Sequence, residues 1–525
     1  MPQPSWQKGW SAQLLAIMAG ALGVGGFSPF DWWPLPLLSS ALLYLLLHPL
    51  SPRQALWRGA AYGLGLFGAG TSWIYVSIHQ FGAASVPLAG LLTLLFCIGM
   101  ALLFVAPFAW CYAQLRQRCS GSTPLALVSF AVLWVLFEWS RSWLFTGFPW
   151  LIWGYSLIDT PLSSWAPVTG VFGLSLFVAG SGALLGEWVR SRRPRNSLLL
   201  GTGVWLCVLL ASYPLANQAW TQRASQSLNV ALVQPAIPQK MKWEEGFLQQ
   251  SLQHLERLTG PHWDADIIVW PENAIAALQH RMLPYLEQLG QRARDTQTSL
   301  VSGIPIYQPD VSGQRVFYNG ITSIGQGSGN YRKQQLVPFG EYVPLQSLLR
   351  GLIAFFDLPM SDFARGPGDQ PLLRAGPHQL APLICYEIVY PDLVARMGRE
   401  ADLLLTISND TWFGASIGPH QHLQMARMRA LENGRYLIRA TNDGITAIID
   451  PKGQLIAQLP QFEAGVLRGN VTPMRGITPF GSNGSWPLIV FLGFALLAAM
   501  LGSHRTGGPA SDTISPPAIR AGRRD

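Results

Sequence analysis

The sequence predicts a multi-span α-helical membrane domain joined to a separate α/β domain. Three observations predict it. Only 12% of the 525 residues are charged, 49% are hydrophobic and 21 are Trp, against about 25% charged in an average soluble protein. Apolar stretches follow one another up to about residue 215, each near the roughly 20 residues that cross a bilayer. From about Leu228 the texture changes to short apolar runs alternating with amphipathic stretches.

Eight spans are expected, near 11–28, 32–50, 56–79, 86–114, 124–145, 165–188, 196–214 and 484–502. The first is expected to stay in place, because no small-residue cleavage site leads into polar sequence and further spans follow directly. Basic residues flank alternate connections: Lys8, then Arg53, then Arg116 and Arg118, then Arg190, Arg192, Arg193 and Arg195. The intervening connections at 29–31, 80–85 and 146–164 contain no Lys or Arg. This alternation predicts a cytoplasmic N-terminus. The expected division is then a seven-span domain over 1–215, an external domain over 216–482, an eighth span over 483–503 and a cytoplasmic tail over 504–525. The tail is rich in Gly, Pro, Ser and Arg and reads as disordered. The net charge of +8 is therefore read as a topology signal, and no nucleic-acid partner is expected.

Within the spans, Glu138 and Arg141 stand three apart near the end of the fifth, where the position predicts that they snorkel and pair. Phe145 to Trp150 (FTGFPW) fits an outer interface, a level that aromatics favour.

In the external domain, strands are predicted at Leu228–Val233, Ile267–Trp270, Leu300–Ile304, Phe317–Ile324, Leu403–Ile407, Tyr436–Thr441 and Ile445–Ile449. Helices are predicted at Glu244–Leu258, with Phe247, Leu248, Leu252 and Leu255 on one side, and at His422–Glu432. Strands interleaved with helices make this an α/β domain.

Of five cysteines, Cys97, Cys111, Cys119 and Cys207 fall in or beside the apolar spans. Cys385 alone lies in the mixed-pattern region, in APLICYE, at the end of an apolar strand. It reads either as a buried small hydrophobe or as a nucleophile. Two further polar positions also follow strands: Glu272 in WPEN, and Lys333 with Glu341 in YRKQQLVPFGE. Strand ends are where the loops of an α/β active site gather. A thiol is mostly protonated at neutral pH, so its chemistry needs a base and a cation. Glu272 and Lys333 supply those types, and the backbone N–H of Tyr386 is a candidate oxyanion donor.

The motifs WPEN, YRKQQLVPFGEYVP and ICYE resemble the nitrilase superfamily of carbon–nitrogen hydrolases, which implies a Glu-Lys-Cys triad on an αββα fold. Fusion of such a domain to seven preceding spans and one following resembles the apolipoprotein N-acyltransferase family. The resemblance implies Glu272 as general base, Lys333 as transition-state stabiliser and Cys385 as the acyl-accepting nucleophile. It implies Glu341 as an accessory acid holding Lys333 and the base, Tyr386 and Glu387 as residues shaping the site, and Trp243 as a tryptophan needed for activity. It also implies a bacterial inner-membrane protein with a periplasmic catalytic domain. A glycerophospholipid would be the acyl donor and a diacylglyceryl apolipoprotein the acceptor, with no cofactor and no metal. An unpaired Cys385 fits the oxidising outer side, since no second cysteine in its domain can consume it.

A membrane-tethered amidase or nitrilase, using water in place of an amine, shares the triad. A transporter with an external binding domain is disfavoured by the few charges and the lack of an evident inverted repeat in the spans. His420 and His422 have a metal-ligand spacing but no partner at a recognisable offset, and read as a solvated helix start. Asn409 to Gly414 (NDTWFG) is expected to line the pocket, and Arg427, Arg429, Arg435 and Arg439 read as paired structural arginines. The apolar run Leu348–Met360 reads as a core helix or, preferably, as a lid that dips into the outer leaflet.

Overall fold

The structure is a computed structural model that describes residues 9–118, 122–191, 196–244, 246–310, 312–342 and 363–505. Lys8, Cys119, Arg192, Arg193, Arg195, the 348–360 run and the tail beyond Arg505 lie outside the described residues.

Among the described residues, five helices are long and apolar enough to cross a membrane: Gly9–Gly26, Val86–Arg118, Thr123–Arg141, Pro161–Arg190 and Asn196–Ala216. Pro34–Leu47 and Trp486–Ala498 are apolar but shorter. Pro52–Gly70, at the place of the expected third span, starts with Arg53 and Gln54 and carries Arg58. It crosses Gly9–Gly23 at backbone distance. A Cβ on Gly20 would stand 2.0 Å from the Tyr62 carbonyl, and one on Gly65 would stand 1.9 Å from that of Ile17. Small residues permit this approach, and dispersion contacts along it hold apolar helices together where lipid removes the hydrophobic drive.

Glu138 and Arg141 do not snorkel. Both are buried, because the chain after Arg141 folds back over them. Glu138 Oε1 accepts the Trp153 N–H at 2.9 Å, and the Arg141 guanidinium lies over the Phe67 ring at 5.1 Å.

The second half of the chain builds two six-stranded sheets. The first runs in the order Gly465–Val471, Leu228–Gln234, Ile267–Val269, Ser299–Gly303, Gly320–Gly325 and Asn330–Arg332. The second runs Leu455–Gln458, Ala447–Ile449, Leu437–Thr441, Leu403–Ser408, His378–Ile384 and Leu373–Ala375. In each sheet three adjacent strands are parallel and the flanking ones antiparallel. Side chains alternate across the first sheet. Val230, Leu232, Ile267 and Val269 join the core shared with the second sheet. Ala231, Val233 and Ile268 pack outward under helices Phe247–Thr259 and Leu283–Asp295. Burial on both faces explains why these strands read as unbroken apolar runs. Helices Pro391–Gly398 and Gly418–Asn433 pack against the second sheet, which gives the αββα layering.

The expected strand Phe317–Ile324 is two elements. Arg315–Tyr318 pairs with Ile306–Pro309 in a separate hairpin, and Gly320–Gly325 enters the first sheet. Asn319 sits at the break.

Helix Gly418–Asn433 is buried along its length except at His420 and Arg427. One side meets the sheet and the other meets loops of the membrane domain. Trp150 Nε1 donates to Gln421 Oε1 at 2.6 Å, the Val171 N–H donates to Glu432 Oε1 at 2.8 Å, and Arg427 Nη1 pairs with Asp159 at 3.0 Å. The arginines are paired as expected: Arg429 with Glu432 at 2.9 Å and Arg439 with Asp410 at 2.5 Å, while Arg435 donates to two carbonyls.

This junction predicts a position that tolerates only glycine. Gly170 has φ +66°, and a Cβ there would stand 2.3 Å from the Phe480 ring. Gly170→Ala should cost about 1–3 kcal/mol through backbone strain alone. Thermal unfolding in detergent, beside Gly180→Ala where the nearest atom is 3.9 Å away, measures it. The first variant should melt earlier and the second should not.

Candidate active site

The carboxyl ends of the parallel strands of both sheets converge on one buried cluster. Cys385 directly follows strand His378–Ile384 and opens the turn Cys385–Val389. Its φ is +51°, a left-handed conformation that costs a residue with a Cβ and persists only where neighbours hold it. Glu387 holds the turn. Its Oε2 accepts the Ile384 N–H at 2.8 Å. Its Oε1 accepts the N–H groups of Gln334 at 2.6 Å and Gln335 at 3.1 Å, and the Tyr331 hydroxyl at 2.8 Å. One carboxylate thus ties the Cys385 turn to the loop that carries Lys333. Burial pushes the Glu387 carboxyl up to about 7 against these bonds.

Glu272 follows strand Ile267–Val269 and is 5% exposed. Its Oε1 accepts from Asn319 Nδ2 at 2.7 Å and its Oε2 from the Asn409 N–H at 2.8 Å. Lys333 Nζ lies 2.8 Å and 2.9 Å from the two oxygens of Glu341 and 3.8 Å from Glu272 Oε1. Glu341 accepts also from the Val337 N–H at 2.9 Å and from Asn319 Nδ2 at 2.8 Å. Asn319 therefore bridges the two carboxylates, with an ammonium beside both.

The electrostatics follow from burial and this pairing. Burial opposes the charge on Lys333, but Glu341, Glu272 and Cys385 outweigh it and hold Nζ protonated above the usual lysine range. Burial is the largest effect on Glu272 and raises its carboxyl; Lys333 opposes and Glu341 reinforces it. Burial likewise pushes the Cys385 thiol well up, with Glu272 reinforcing and Lys333 opposing. The arrangement thus offers a protonated sulfur, a carboxylate of raised basicity and a fixed cation.

The other anticipated residues divide. Tyr386 donates its hydroxyl to the Gly147 carbonyl at 3.1 Å, and Tyr390 donates to the Thr146 carbonyl at 2.9 Å. The FTGFPW loop of the membrane domain is thus fastened to the Cys385 turn. Asn409 borders the cluster as expected. Trp243 is half-buried, and its indole Nε1 is shielded without an acceptor among the described residues. It follows Lys242, whose buried Nζ donates to the Glu272 carbonyl at 2.9 Å. His422 is not a solvated helix start: it is 1% exposed, with Nδ1 3.1 Å from Asp410 Oδ1 and Nε2 3.2 Å from the Cys385 carbonyl.

Sequence reading missed Asn319, Lys242 and Tyr331. A signal existed for Asn319, an amide interrupting the apolar run from Phe317 to Ile324. For Lys242 and Tyr331 nothing local marks burial.

The Asn319 bridge holds the Glu272 carboxyl down, so its loss has a sign. Asn319→Leu raises the Glu272 pKa, and the basic form then appears only at higher pH. The acid limb of Cys385 alkylation by iodoacetamide should move upward. The rate below it should fall about fivefold, the equivalent of one hydrogen bond of about 1 kcal/mol. Peptide-mapped alkylation against pH measures this; an unmoved limb would separate Asn319 from the base.

Residues 19–184 match the family model described as the apolipoprotein N-acyltransferase N-terminal domain, and residues 229–475 match the carbon–nitrogen hydrolase model. An apolipoprotein N-acyltransferase of Pseudomonas aeruginosa is 52% identical over 494 residues, covering 94% of this chain and 96% of the relative. One of Pseudomonas syringae pv. tomato is 52% identical over 498 residues, covering 94% and 98%. One of Vibrio parahaemolyticus is 40% identical over 506 residues, covering 93% and 96%. With likeness of this depth running through both the helical and the sheet-bearing halves, the chain belongs to the apolipoprotein N-acyltransferase family.

Proposed function

We propose that this protein moves an acyl chain from a glycerophospholipid to the N-terminal amine of S-diacylglyceryl-cysteine apolipoproteins, by way of a thioester on Cys385. The observation that carries the reading is the single buried cluster in which Cys385, Glu272 and Lys333 meet, beside loops of a domain with membrane-length helices. The relatives' shared name supplies the reaction class, and the apolar helices supply a reason for the platform, because both substrates reside in lipid.

In the first step the thiol proton passes to Glu272 as sulfur attacks the ester carbonyl. The raised thiol favours transfer coupled to attack over a standing thiolate. Lys333, held protonated, faces the charge that develops on the carbonyl oxygen. The carbon–oxygen bond breaks, Glu272 returns the proton to the departing alkoxide, and lysophospholipid leaves a thioester behind. In the second step the neutral α-amine attacks the thioester, Glu272 takes its proton, and the carbon–sulfur bond breaks. The proton then returns to sulfur. Glu341 keeps Lys333 charged and placed, Glu387 and Tyr386 fix the turn, and Trp243 borders the base through Lys242.

The topology in this reading has eight spans, with Pro34–Leu47, Pro52–Gly70 and Trp486–Arg505 added to the five long helices. The N-terminus and the tail are cytoplasmic, residues 216–482 are periplasmic, and the membrane is the bacterial inner membrane. The positions of Arg53, Arg116, Arg118 and Arg190 at alternate helix ends support this orientation.

Two outcomes test the chemistry. Protein incubated with phospholipid and no amine should gain one acyl mass on the Cys385 peptide. The mass should be released by hydroxylamine or by a diacylglyceryl peptide. Full turnover with unmodified Cys385 would exclude the thioester route.

Lys333→Ala should slow acylation by about 10²-fold or more, the scale of losing an oxyanion stabiliser. Lys333→Arg should not restore it, because a planar fork does not replace a compact ammonium between two carboxylates. Single-turnover acylation rates measure both, and near-normal activity in either would remove Lys333 from the reaction.

A further inference from the structure

We propose that His422 is a positioning residue for the reacting sulfur: its Nε2–H grips the Cys385 carbonyl and thereby holds the left-handed backbone on which the thiol is presented. The proposal rests on the reading of Cys385 as the acyl-accepting nucleophile.

The proton's place on His422 follows from its neighbours. Nε2 faces the Cys385 carbonyl at 3.2 Å, and a carbonyl only accepts, so this bond needs the proton on Nε2. Nδ1 lies 3.1 Å from Asp410 Oδ1 and 3.1 Å from Arg439 Nη2. The guanidinium only donates and the carboxylate only accepts, so Nδ1 bonds Arg439 when bare and Asp410 when protonated, and in both cases Nε2 keeps the proton that the carbonyl requires. Burial, then Arg439, keep the imidazole below its usual pKa, against Asp410. The charged and titratable groups facing the ring are thus Asp410, Arg439 and Cys385. The Nε2–H donor to the Cys385 carbonyl is present in either state of Nδ1.

The ring itself is fixed from all sides. Trp150 and Phe413 lie over it, at 6.0 Å and 5.8 Å between centroids. The neighbouring Gln421 is held by Trp150 Nε1. Asp410 is anchored by Arg439 Nη2 at 2.5 Å and by Ser408 Oγ at 2.5 Å. The Cys385 carbonyl is therefore tied through His422 to a network centred on Asp410.

A merely structural histidine predicts that its loss is felt as stability. A positioning histidine predicts that the donor on Nε2 matters beyond stability. The two are separated by His422→Gln, whose amide N–H reaches the place of Nε2, and His422→Leu, which fills the space without a donor. His422→Asn, whose shorter amide reaches Asp410 but not the carbonyl, serves as a folded control if Leu disrupts the core. Four quantities are read in each: the peptide-mapped rate of Cys385 alkylation by iodoacetamide, the single-turnover rate of acyl-enzyme formation, the KM for phospholipid, and the melting temperature.

The expected result is a loss of about tenfold or more in both rates for Leu and Asn, the scale of an unsatisfied buried carbonyl. The KM for phospholipid should be unchanged, and Gln should recover most of the loss. Wild-type rates in folded Asn or Leu protein would overturn the proposal, as would Gln failing to the same extent as Asn. Failure of the underlying reading looks different: wild-type protein would then turn over without ever carrying an acyl group on Cys385, whatever stands at 422.

Discussion

The site depends on one buried ammonium held between two carboxylates. Lys333 is 1% exposed and lies within 2.9 Å of both oxygens of Glu341 and 3.8 Å of Glu272. Taking these charges out of water costs several kcal/mol per ion, and is tolerated only where the remaining lone pairs and protons are satisfied. Here they are. Asn319 serves both carboxylates, Val337 and Asn409 give backbone N–H groups, and Lys242 adds a second cation behind the Glu272 carbonyl. The same pairing divides the proposed roles. A lysine held protonated this firmly does not serve as a base, which leaves proton transfer to Glu272, whose burial raises its basicity.

Around that centre, the Cys385 turn is fastened to the membrane domain rather than only to its own sheet. Tyr386 and Tyr390 donate to carbonyls of Gly147 and Thr146, and Trp150 bonds the helix that carries His422. The Ser77 hydroxyl donates to the Trp412 carbonyl at 2.7 Å, and Trp73 meets Phe413 edge-on at 4.7 Å. The turn that carries the strained Cys385 backbone is thus held by its own sheet and by a loop of the helical half.

How much of this was legible in the sequence depends on the range of the interaction. Strand ends carrying Glu272, Lys333 and Cys385 were readable because unbroken apolar runs and motif spacing are local. Asn319 acts on Glu272 from 47 residues away and His422 on Cys385 from 37; the sequence marks Asn319 as an amide in an apolar run, but nothing local names the partner of either. Helix Gly418–Asn433 concealed itself for a second reason. Being buried on both sides, it has no polar face, so His422 had no apolar stripe to be read against and passed for a solvated residue. Glu138 and Arg141 misled in the opposite way. Their spacing near a span end fits snorkelling, but the returning 150–158 segment buries them. The count of spans was blurred where Pro52–Gly70 exchanges apolarity for basic residues and glycine contacts.

The protonation of the cluster shows what this preorganisation costs. Glu387, and Asp443, a buried carboxyl near Lys242, are raised by burial to about 7 and about 6. An acid raised in the fold contributes stability that is complete below its unfolded pKa and is lost as pH rises through the folded value. These two therefore weaken the fold progressively from about pH 4 up to about pH 7. Lys242 is lowered by burial to about 8. Its unfolded form binds the extra proton between about 8 and about 10.4, so stability rises with pH only across that upper window. These three groups are thus least favourable to the fold near neutrality, while Lys333, held protonated by its carboxylates, works the other way. Burying groups that water would solvate better is a trade expected of a site whose groups are set for chemistry instead of packing.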